Sequence, residues 1–301
     1  MNALPVVTAV DGSDHSAKAL EWALDAARER AAELLVVHVR TEYIRSLPAQ
    51  GDGPVIPPPG DADSPVLAEV RRLLEGRGDL PPVRTVAVDG ALPSTVTELG
   101  NEAQLLVLGS RGRGGFASLL LGSVSRAAAA RAACPVVVVP HAARDRSVRL
   151  PDAHPPVVLG LDPEDAAATA DAAIEFAFAE AARGGTRLDV VTTYTVPMST
   201  LTLMGPYVTG AGDDEGPRIE GELRKAQEAR LRPFADRHPD VEVAPEVLSG
   251  DAAGALVAAS RTARLVVVGR HRRRLTADSL LVGSAANAAL LHAHCPVAVV
   301  P

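Results

Sequence analysis

Residues 105–123 read LLVLGSRGRGGFASLLLGS, and this stretch decides the fold. Its first four residues form a short apolar run, which is typical of a parallel strand covered on both faces. The run ends in Gly109, Gly112 follows three residues later, and Gly122-Ser123 begins ten residues after Gly112. Glycines at a strand end let the backbone turn and approach a ligand closely, because they carry no Cβ atom. The pattern therefore predicts a strand that leads into an anion-binding loop and then into a helix.

This arrangement occurs twice in the 301-residue chain. Gly122-Ser123 recurs 161 residues later as Gly283-Ser284, and Cys134 recurs at the same displacement as Cys295. Because about 100–200 residues form one domain, the length also suits two domains. We predict a tandem duplication, with domains at residues 1–140 and 157–301 and a linker, rich in Arg, Asp and Pro, at 141–156.

Each half alternates short apolar runs with segments of helical periodicity. Leu20, Leu24 and Ala27 recur at helical spacing, and we expect Ser13 or Asp14 to begin that helix. Strands that alternate with helices imply a parallel sheet with right-handed crossovers. The predicted fold class is α/β: two tandem doubly wound domains, each a five-stranded parallel sheet with helices on both faces. The predicted strands are residues 4–10, 34–39, 83–88, 105–108, 136–139, 157–161, 188–193, 241–247, 265–268 and 297–300.

Two long segments rich in Gly and Pro follow the second predicted strand of each half. They are Ser46–Asp63 and Ser199–Pro217. Connections of this length are uncommon in compact domains unless they have a function. We expect long loops here and interpret them as candidate lids.

The composition disfavours several classes of partner. Only Lys18 and Lys225 among the 30 basic residues are lysines, and neither belongs to a G-K-[ST] phosphate-binding motif. A net charge of -7 and few aromatic residues disfavour nucleic acid and anionic lipid. No run of about 18 apolar residues predicts a membrane span, and two cysteines are too few for a disulfide framework. We expect a cytoplasmic protein with no nucleic-acid or membrane partner.

The candidate site lies at the carboxyl ends of the first and fourth strands, where a sheet of this class reverses its strand order. Asp11 follows the first strand, and Gly109–Gly112 follow the fourth. Arg111 and Arg113 add cationic donors that suit phosphate, and the next helix presents its positive end. These residues describe a polyphosphate cradle, in which Asp11 orients ribose hydroxyls or holds a divalent cation.

A compound motif of the chain resembles the universal stress protein family. It consists of Val10-Asp11-Gly12-Ser13, the Gly109/Gly112/Gly122-Ser123 spacing and the closing Cys-Pro-Val-Val-Val-Val-Pro of residues 134–140. The resemblance covers nearly the whole chain, as two such domains in tandem. It implies an adenine nucleotide alpha hydrolase-like fold that binds ATP, with the nucleoside beside Asp11 and Val39 and the phosphates along Gly109, Gly112, Gly122, Ser123, Val124 and Ser125. From the residues themselves we add Val10, Ser110, Arg111 and Arg113 to this candidate site, and Asp11 as the residue that holds Mg²⁺ bound with ATP.

The second half carries a damaged version of this motif. Its fourth strand ends in Gly269-Arg270-His271-Arg272, so an arginine stands where the first half has its second glycine. Two interpretations stay open: a nucleotide-free pseudo-site, or a site where arginines bind phosphate by charge. The candidate residues are Asp162, Gly269, Arg270, Gly283 and Ser284.

Other candidate sites are weaker. His292, His294 and Cys295 resemble a metal cluster, but they end a helix and enter a buried strand. His38 ends an apolar strand and is interpreted as a hydrogen-bonded polar group. Asp14-His15-Ser16 has the letters of a catalytic triad, yet adjacent residues at a helix start cannot form the relay. We assign no catalytic residue.

Three functions fit these observations. We favour a regulatory stress-response protein that binds ATP with little or no turnover and associates as a homodimer. The resemblance implies that the last strands, residues 136–139 and 297–300, pair across an internal pseudo-dimer. One alternative is a slow ATP hydrolase or adenylyl-type enzyme on the same fold, although the sequence offers no dedicated base. The other alternative is a nucleotide-free dimerisation or interaction module.

Overall fold

The structure is a computed structural model of the chain. It describes residues 4–41, 64–112, 120–140, 154–166, 169–195, 215–270, 273–274 and 280–301. The chain divides into two compact units, Met1–Ala143 and Arg144–Pro301. The predicted linker lies mostly outside the described residues, and its boundaries stay a prediction. Its last two residues bond to the second unit, since Pro155 O accepts from Thr186 Oγ1 (2.8 Å) and Pro156 O from Arg264 N (2.9 Å).

The first unit contains the predicted five-stranded parallel sheet. Its elements are β1 (Val6–Ala9), α1 (Asp14–Glu29), β2 (Leu34–Arg40), α2 (Pro65–Leu74), β3 (Val83–Asp89), α3 (Leu92–Glu98), β4 (Leu105–Gly109), α4 (Ser123–Arg131) and β5 (Val136–Val139). The strand order is β3-β2-β1-β4-β5, and all neighbours are parallel. The connections run from β1 toward one edge of the sheet and from β4 toward the other edge. A crevice therefore forms between the carboxyl ends of β1 and β4. Right-handed crossovers put α1 and α2 on one face and α3 and α4 on the other.

Hydroxyl side chains begin the first two helices. Ser13 caps α1, and its Oγ accepts a hydrogen bond from Ser16 N over 3.2 Å. Ser64 caps α2 in the same way, with Leu67 N as the donor at 3.2 Å. Each cap satisfies an N–H group that a helix start leaves without an intrahelical partner. The predicted start of the first helix is therefore correct.

The second unit repeats this sheet. Its elements are β6 (Val157–Gly160), α5 (Asp171–Gly184), β7 (Leu188–Tyr194), α6 (Glu215–Ala235), β8 (Val243–Ser249), α7 (Ala252–Ala259), β9 (Leu265–Gly269), β10 (Arg273–Arg274), β11 (Leu280–Leu281), α8 (Ser284–His292) and β12 (Val297–Val300). The order within the unit is β8-β7-β6-β9-β12, again with parallel neighbours. The predicted α/β fold with doubly wound parallel sheets is confirmed.

Helix α3 ends at Glu98 and continues as a 3₁₀ turn over Leu99–Glu102. One predicted boundary is wrong. The second long loop was expected to reach Pro217, whereas α6 already begins at Glu215. Proline is compatible with a first helical turn because the N–H group that it lacks has no intrahelical partner there. The rest of that loop and all of Ser46–Asp63 lie outside the described residues.

The core is aliphatic, as the small number of aromatic residues predicts. Every residue of β4, β5, β9 and β12 is buried. Of the side chains that the structure describes, Phe178 on α5 is the largest that is fully buried. Among the described residues, no helix has the length and the apolar character that crossing a bilayer requires.

A charged and aromatic cluster joins α5 to the end of α6. The Glu175 carboxylate accepts a hydrogen bond from Arg237 Nη2 and lies 2.9 Å from His238 Nε2. Phe178 stacks on Phe234 and on His238, with ring centroids 6.2 and 5.5 Å apart. The bonds from Arg237 and then His238 favour the ionised carboxylate, so they hold the pKa of Glu175 below its ordinary value.

We predict that Glu175→Gln lowers the free energy of unfolding at neutral pH by about 0.5–1 kcal/mol, because Glu175 is partly exposed and solvent screens the pair. Since the folded pKa is lowered, this stabilisation is present above the unfolded value of about 4.3 and is lost as the pH falls through the folded value. In urea unfolding experiments, the difference in free energy of unfolding between wild type and Glu175→Gln should decrease as the pH falls below about 5. Glu222→Gln, in an exposed pair within α6, is the control. An advantage that does not change with pH would contradict the assignment.

Cys134 and Cys295 occupy equivalent positions, two residues before the last strand of each unit. Both are buried thiols, each 6% exposed. Burial raises the pKa of the Cys295 thiol to about 12. The reactive form of a thiol is the thiolate, so this environment makes Cys295 a poor nucleophile.

We predict that Ellman's reagent modifies neither thiol rapidly in the native protein at about pH 8. After denaturation in guanidinium, the reagent should modify two thiols per chain. The measurement is the time course of absorbance. Rapid reaction of one thiol in the native state would show that one of the two positions opens to solvent.

Candidate functional site

The structure brings Asp11 and the loop after β4 together. Because β1 and β4 are neighbours, with Thr8 paired to Val107, the residues that follow both strands meet at the same edge of the sheet. A Cβ atom on Gly112 would lie only 2.5 Å from Asp11 Oδ2. The carboxylate therefore lies directly against the backbone of Gly112, and any larger residue at 112 would have to displace it.

Local hydrogen bonds fix the orientation of Asp11. Its Oδ1 accepts from Ser13 N at 3.0 Å and from Ser13 Oγ at 2.6 Å. Gly12 between them has φ = 76°, a left-handed conformation that glycine adopts without strain. Ser16 Oγ accepts from Asp11 N at 3.4 Å and donates to Ser13 O at 2.8 Å. The start of α1 thus holds one carboxylate oxygen, while the other lies over Gly112.

Gly109 serves helix packing. A Cβ atom there would lie 2.6 Å from His15 O and 3.0 Å from His15 Cβ. The first turn of α1 therefore rests on the end of β4 at a distance that only glycine permits. This assigns Gly109 a different role from the one expected from the sequence, which is close approach to a ligand.

The start of α4 has a different character from the starts of α1 and α2. Its N-cap is Gly122, whose N–H donates to Ser110 O over 2.7 Å and whose residue type provides no side-chain cap. A Cβ atom on Gly122 would lie 3.5 Å from Ser110 O and 3.6 Å from Arg111 Cα, which are ordinary contacts. Packing against the described residues therefore does not require glycine at 122. The first turn, which begins with exposed Ser123 and half-buried Val124, presents the positive end of the helix dipole.

Two predicted phosphate residues have bonds within the protein. Ser125 is buried, and its Oγ donates to Gly109 O at 2.7 Å, which ties α4 to the end of β4. Ser110 is buried as well, and its N–H donates to Val139 O at 2.9 Å. Both residues therefore shape the loop from within. Arg113 lies outside the described residues.

His15 has no predicted role apart from the rejected triad Asp14-His15-Ser16, yet the structure brings it to the site. Arg111 Nε donates a hydrogen bond to His15 Nε2 over 3.2 Å, and both side chains are half-buried. His15 follows Asp11 by four residues. The predicted start of this helix at Ser13 or Asp14 already put His15 in its first turn, beside the site, so this placement was available from the sequence.

Val10 directly follows β1, Val39 is the penultimate residue of β2, and both side chains are buried. Next to Val39, Arg40 forms two bonds with Asp89, Nε to Oδ1 at 2.9 Å and Nη2 to Oδ2 at 3.0 Å. This ion pair joins the carboxyl ends of β2 and β3, and its side chains are 15% and 23% exposed. No local sequence pattern predicts this pair, because the two residues lie 49 positions apart.

His38 confirms its predicted role as a hydrogen-bonded polar group. Its Nδ1 lies 2.8 Å from Oγ of Ser64, the buried cap of α2. The bond anchors the start of α2 to β2 and leaves His38 outside the cradle.

The second unit keeps part of this arrangement. Asp162 Oδ1 accepts from Glu164 N and Asp165 N, both at 3.1 Å, and Asp162 N donates to Thr169 Oγ1 at 3.1 Å. The carboxylate thus has backbone partners like those of Asp11, but Asp162 is exposed. Gly283 begins α8 without a side-chain cap.

The loop side of that unit differs from the first. Buried Arg270 takes the place of Ser110, and its N–H donates to Val300 O at 2.7 Å, as Ser110 does to Val139. Gly269 pairs with Val300 at the end of β9, and exposed Ser284 begins α8. Ala286 stands at the position of Ser125, so the hydroxyl tie between helix and strand has no counterpart. The short strands β10 and β11 pair antiparallel in this loop, which the sequence did not predict.

In the part of the chain that the structure describes, no group of three or more His, Cys, Asp or Glu side chains is arranged to hold a metal ion by itself. Asp11 contributes a single carboxylate.

A sequence model of the universal stress protein family matches residues 4–140 and 156–301. The chain belongs to the universal stress protein family. One universal stress protein of Mycobacterium tuberculosis strain H37Rv is 35% identical over 305 residues, which cover 98% of this chain and 96% of that protein. The resemblance seen in the motif is therefore confirmed in its tandem form.

Solved structures show the same fold. A universal stress protein from Archaeoglobus fulgidus covers 98% of this chain and 97% of its own, with a TM-score of 0.63 and 20% identity. Another universal stress protein, solved in complex with cAMP, covers 46% of this chain with a TM-score of 0.32.

We predict that Gly109→Ala destabilises this universal stress protein by about 1–3 kcal/mol, because the new methyl group overlaps the backbone of His15 and forces α1 away from β4. Gly78→Ala is the matched control, since a Cβ atom there has nothing within 4 Å. Its unfolding free energy should change by less than about 0.5 kcal/mol. Denaturant unfolding of both variants is the measurement, and equal stabilities would contradict the close contact.

Proposed function

We propose that this universal stress protein is a regulatory stress-response protein that binds ATP in its first unit, with little or no turnover. The triphosphate would lie at the start of α4, and the nucleoside near the ends of β1 and β2. The observation that carries the proposal is the glycine cap of α4, which opens next to the loop that begins at Gly109.

None of the described residues lies close enough to the start of α4 to require a glycine there. Ser, Thr, Asp or Asn would stabilise the helix more, as Ser13 and Ser64 do for α1 and α2. Gly122 leaves the first-turn amides without a side-chain acceptor, although its surroundings tolerate a Cβ atom. An anion from outside the chain would satisfy these amides and gain from the helix dipole. Arg111 adds a cation beside the same loop.

Asp11 suits an Mg²⁺ ion that arrives with the nucleotide. Mg²⁺ is usually held by one or two carboxylates together with phosphate oxygens and waters, and Asp11 supplies one carboxylate with a fixed orientation. This carboxylate lies against the backbone of Gly112, beside the loop that we propose for the phosphates. When bound, the ion would neutralise charge on the phosphates.

A binding role suits this geometry better than rapid phosphoryl transfer. Transfer needs a residue that orients the attacking group, together with metal ligands and a cationic stabiliser. His15 accepts the hydrogen bond of Arg111 at Nε2, and Asp11 Oδ1 is bonded to Ser13, so both side chains are engaged in positioning. A steady-state turnover well above background that Asp11→Ala abolishes would instead favour an ATP hydrolase.

The second unit supports nucleotide binding less strongly. Its helix α8 also begins with glycine, but Arg272 replaces the second loop glycine, and Asp162 is exposed. We therefore propose one ATP per chain. Three further points stay predictions from the sequence: homodimer formation, a cytoplasmic location and a role of the protein in a stress response.

The test uses Gly122→Asp. Aspartate is among the best N-cap residues, so it should keep or raise the stability of α4 while its carboxylate takes the place of the phosphate and repels it. Isothermal titration of MgATP into nucleotide-free protein should show about one site per chain in the wild type and at least a tenfold weaker affinity in the variant. Thermal unfolding monitors the fold.

Gly283→Asp is the matched control, because it makes the same change at the start of α8 in the second unit. It should leave the affinity of the first site unchanged. Wild-type protein that binds no ATP at millimolar concentration would refute the proposal. Equal affinity in wild type and Gly122→Asp would refute the start of α4 as the phosphate site.

A further inference from the structure

We propose that His15 is a positioning residue for phosphate binding: its imidazole holds the guanidinium of Arg111 toward the triphosphate of ATP. This inference rests on the proposed ATP site and adds to it a residue that lies outside the glycine motif. It starts from one contact, the 3.2 Å bond from Arg111 Nε to His15 Nε2.

The backbone of His15 is held on both sides. Ser13 caps α1 two residues earlier, and it is itself bonded to Asp11. On the other side, the carbonyl of His15 fills the space that a Cβ atom of Gly109 would need. Because the first turn of α1 packs directly on the end of a strand, the backbone position from which the His15 side chain extends is fixed. The imidazole of His15 is therefore held in place beside the loop, where it can orient a neighbouring side chain.

The bond determines the chemical state of the ring. Arginine only donates hydrogen bonds, so Nε2 of His15 must accept and the ring proton is on Nδ1. This is a neutral imidazole, which orients the guanidinium without adding a second cation. The bond fixes the plane of a side chain that otherwise has many rotamers, and a phosphate ligand then has less conformational entropy to remove on binding.

The second half of the sequence lacks this pair. Three alanines, residues 166–168, precede Thr169, the hydroxyl residue that bonds to Asp162 as Ser16 bonds to Asp11. His271 stands two residues after Gly269, where the first half has Arg111 two residues after Gly109. The pair thus belongs to the half with the intact glycine motif, which agrees with a role in phosphate binding.

The test compares ATP with adenosine, because a phosphate-positioning residue changes the ratio of their affinities, whereas a residue that only supports the fold weakens both. We expect His15→Ala to lower the ATP-to-adenosine affinity ratio about tenfold, and His15→Gln, whose amide oxygen also accepts, to restore most of it. In an Arg111→Ala background, His15→Ala should have no further effect on the ratio. Titration calorimetry supplies both affinities, and His154→Ala, an exposed histidine of the second unit, is the control.

Four results would overturn the inference. The ratio could stay at the wild-type value in His15→Ala, both affinities could fall together, His15→Gln could fail to restore the ratio, or His15→Ala could still lower it in the Arg111→Ala background. Absence of ATP binding to the wild type would refute the proposed function itself, and the inference with it. Thermal unfolding of each variant separates loss of fold from loss of the ratio.

Discussion

The first unit depends on one close contact, the packing of the first turn of α1 on the end of β4 at Gly109. A methyl group there would lie 2.6 Å from His15 O. Because the two elements touch without side chains between them, Asp11 and the loop after β4 lie side by side at the crevice between β1 and β4. The carboxylate, the loop backbone and the start of α4 all take their positions from this contact.

The three glycines of the motif have three different physical roles. Gly109 makes room for a helix, Gly112 makes room for the Asp11 carboxylate, and Gly122 begins a helix without capping it. Only the third is left without a reason in the described protein. A spacing pattern that signals ligand binding as a whole thus contains two positions that the protein needs for its own packing.

The two units show which features belong to the fold and which to the site. Both keep the strand order, fully buried fourth and fifth strands, an aspartate bonded to nearby backbone amides and a glycine at the start of the fourth helix. They differ in the loop after the fourth strand, where Arg270 replaces Ser110 and Ala286 stands in for Ser125. Duplication allows such divergence, because the loop of one unit can change while both sheets still fold.

The sequence by itself determined the duplication, the doubly wound sheets and the family, because apolar runs, helical spacing and a long compound motif repeat along the chain. It could not determine which side chains meet across the crevice. The bond between His15 and Arg111 joins residues 96 positions apart, and that between Arg40 and Asp89 joins residues 49 apart. The sequence also could not show that packing requires glycine at positions 109 and 112 but not at position 122. These outcomes depend on small differences in the distances between packed elements, which only the tertiary structure sets.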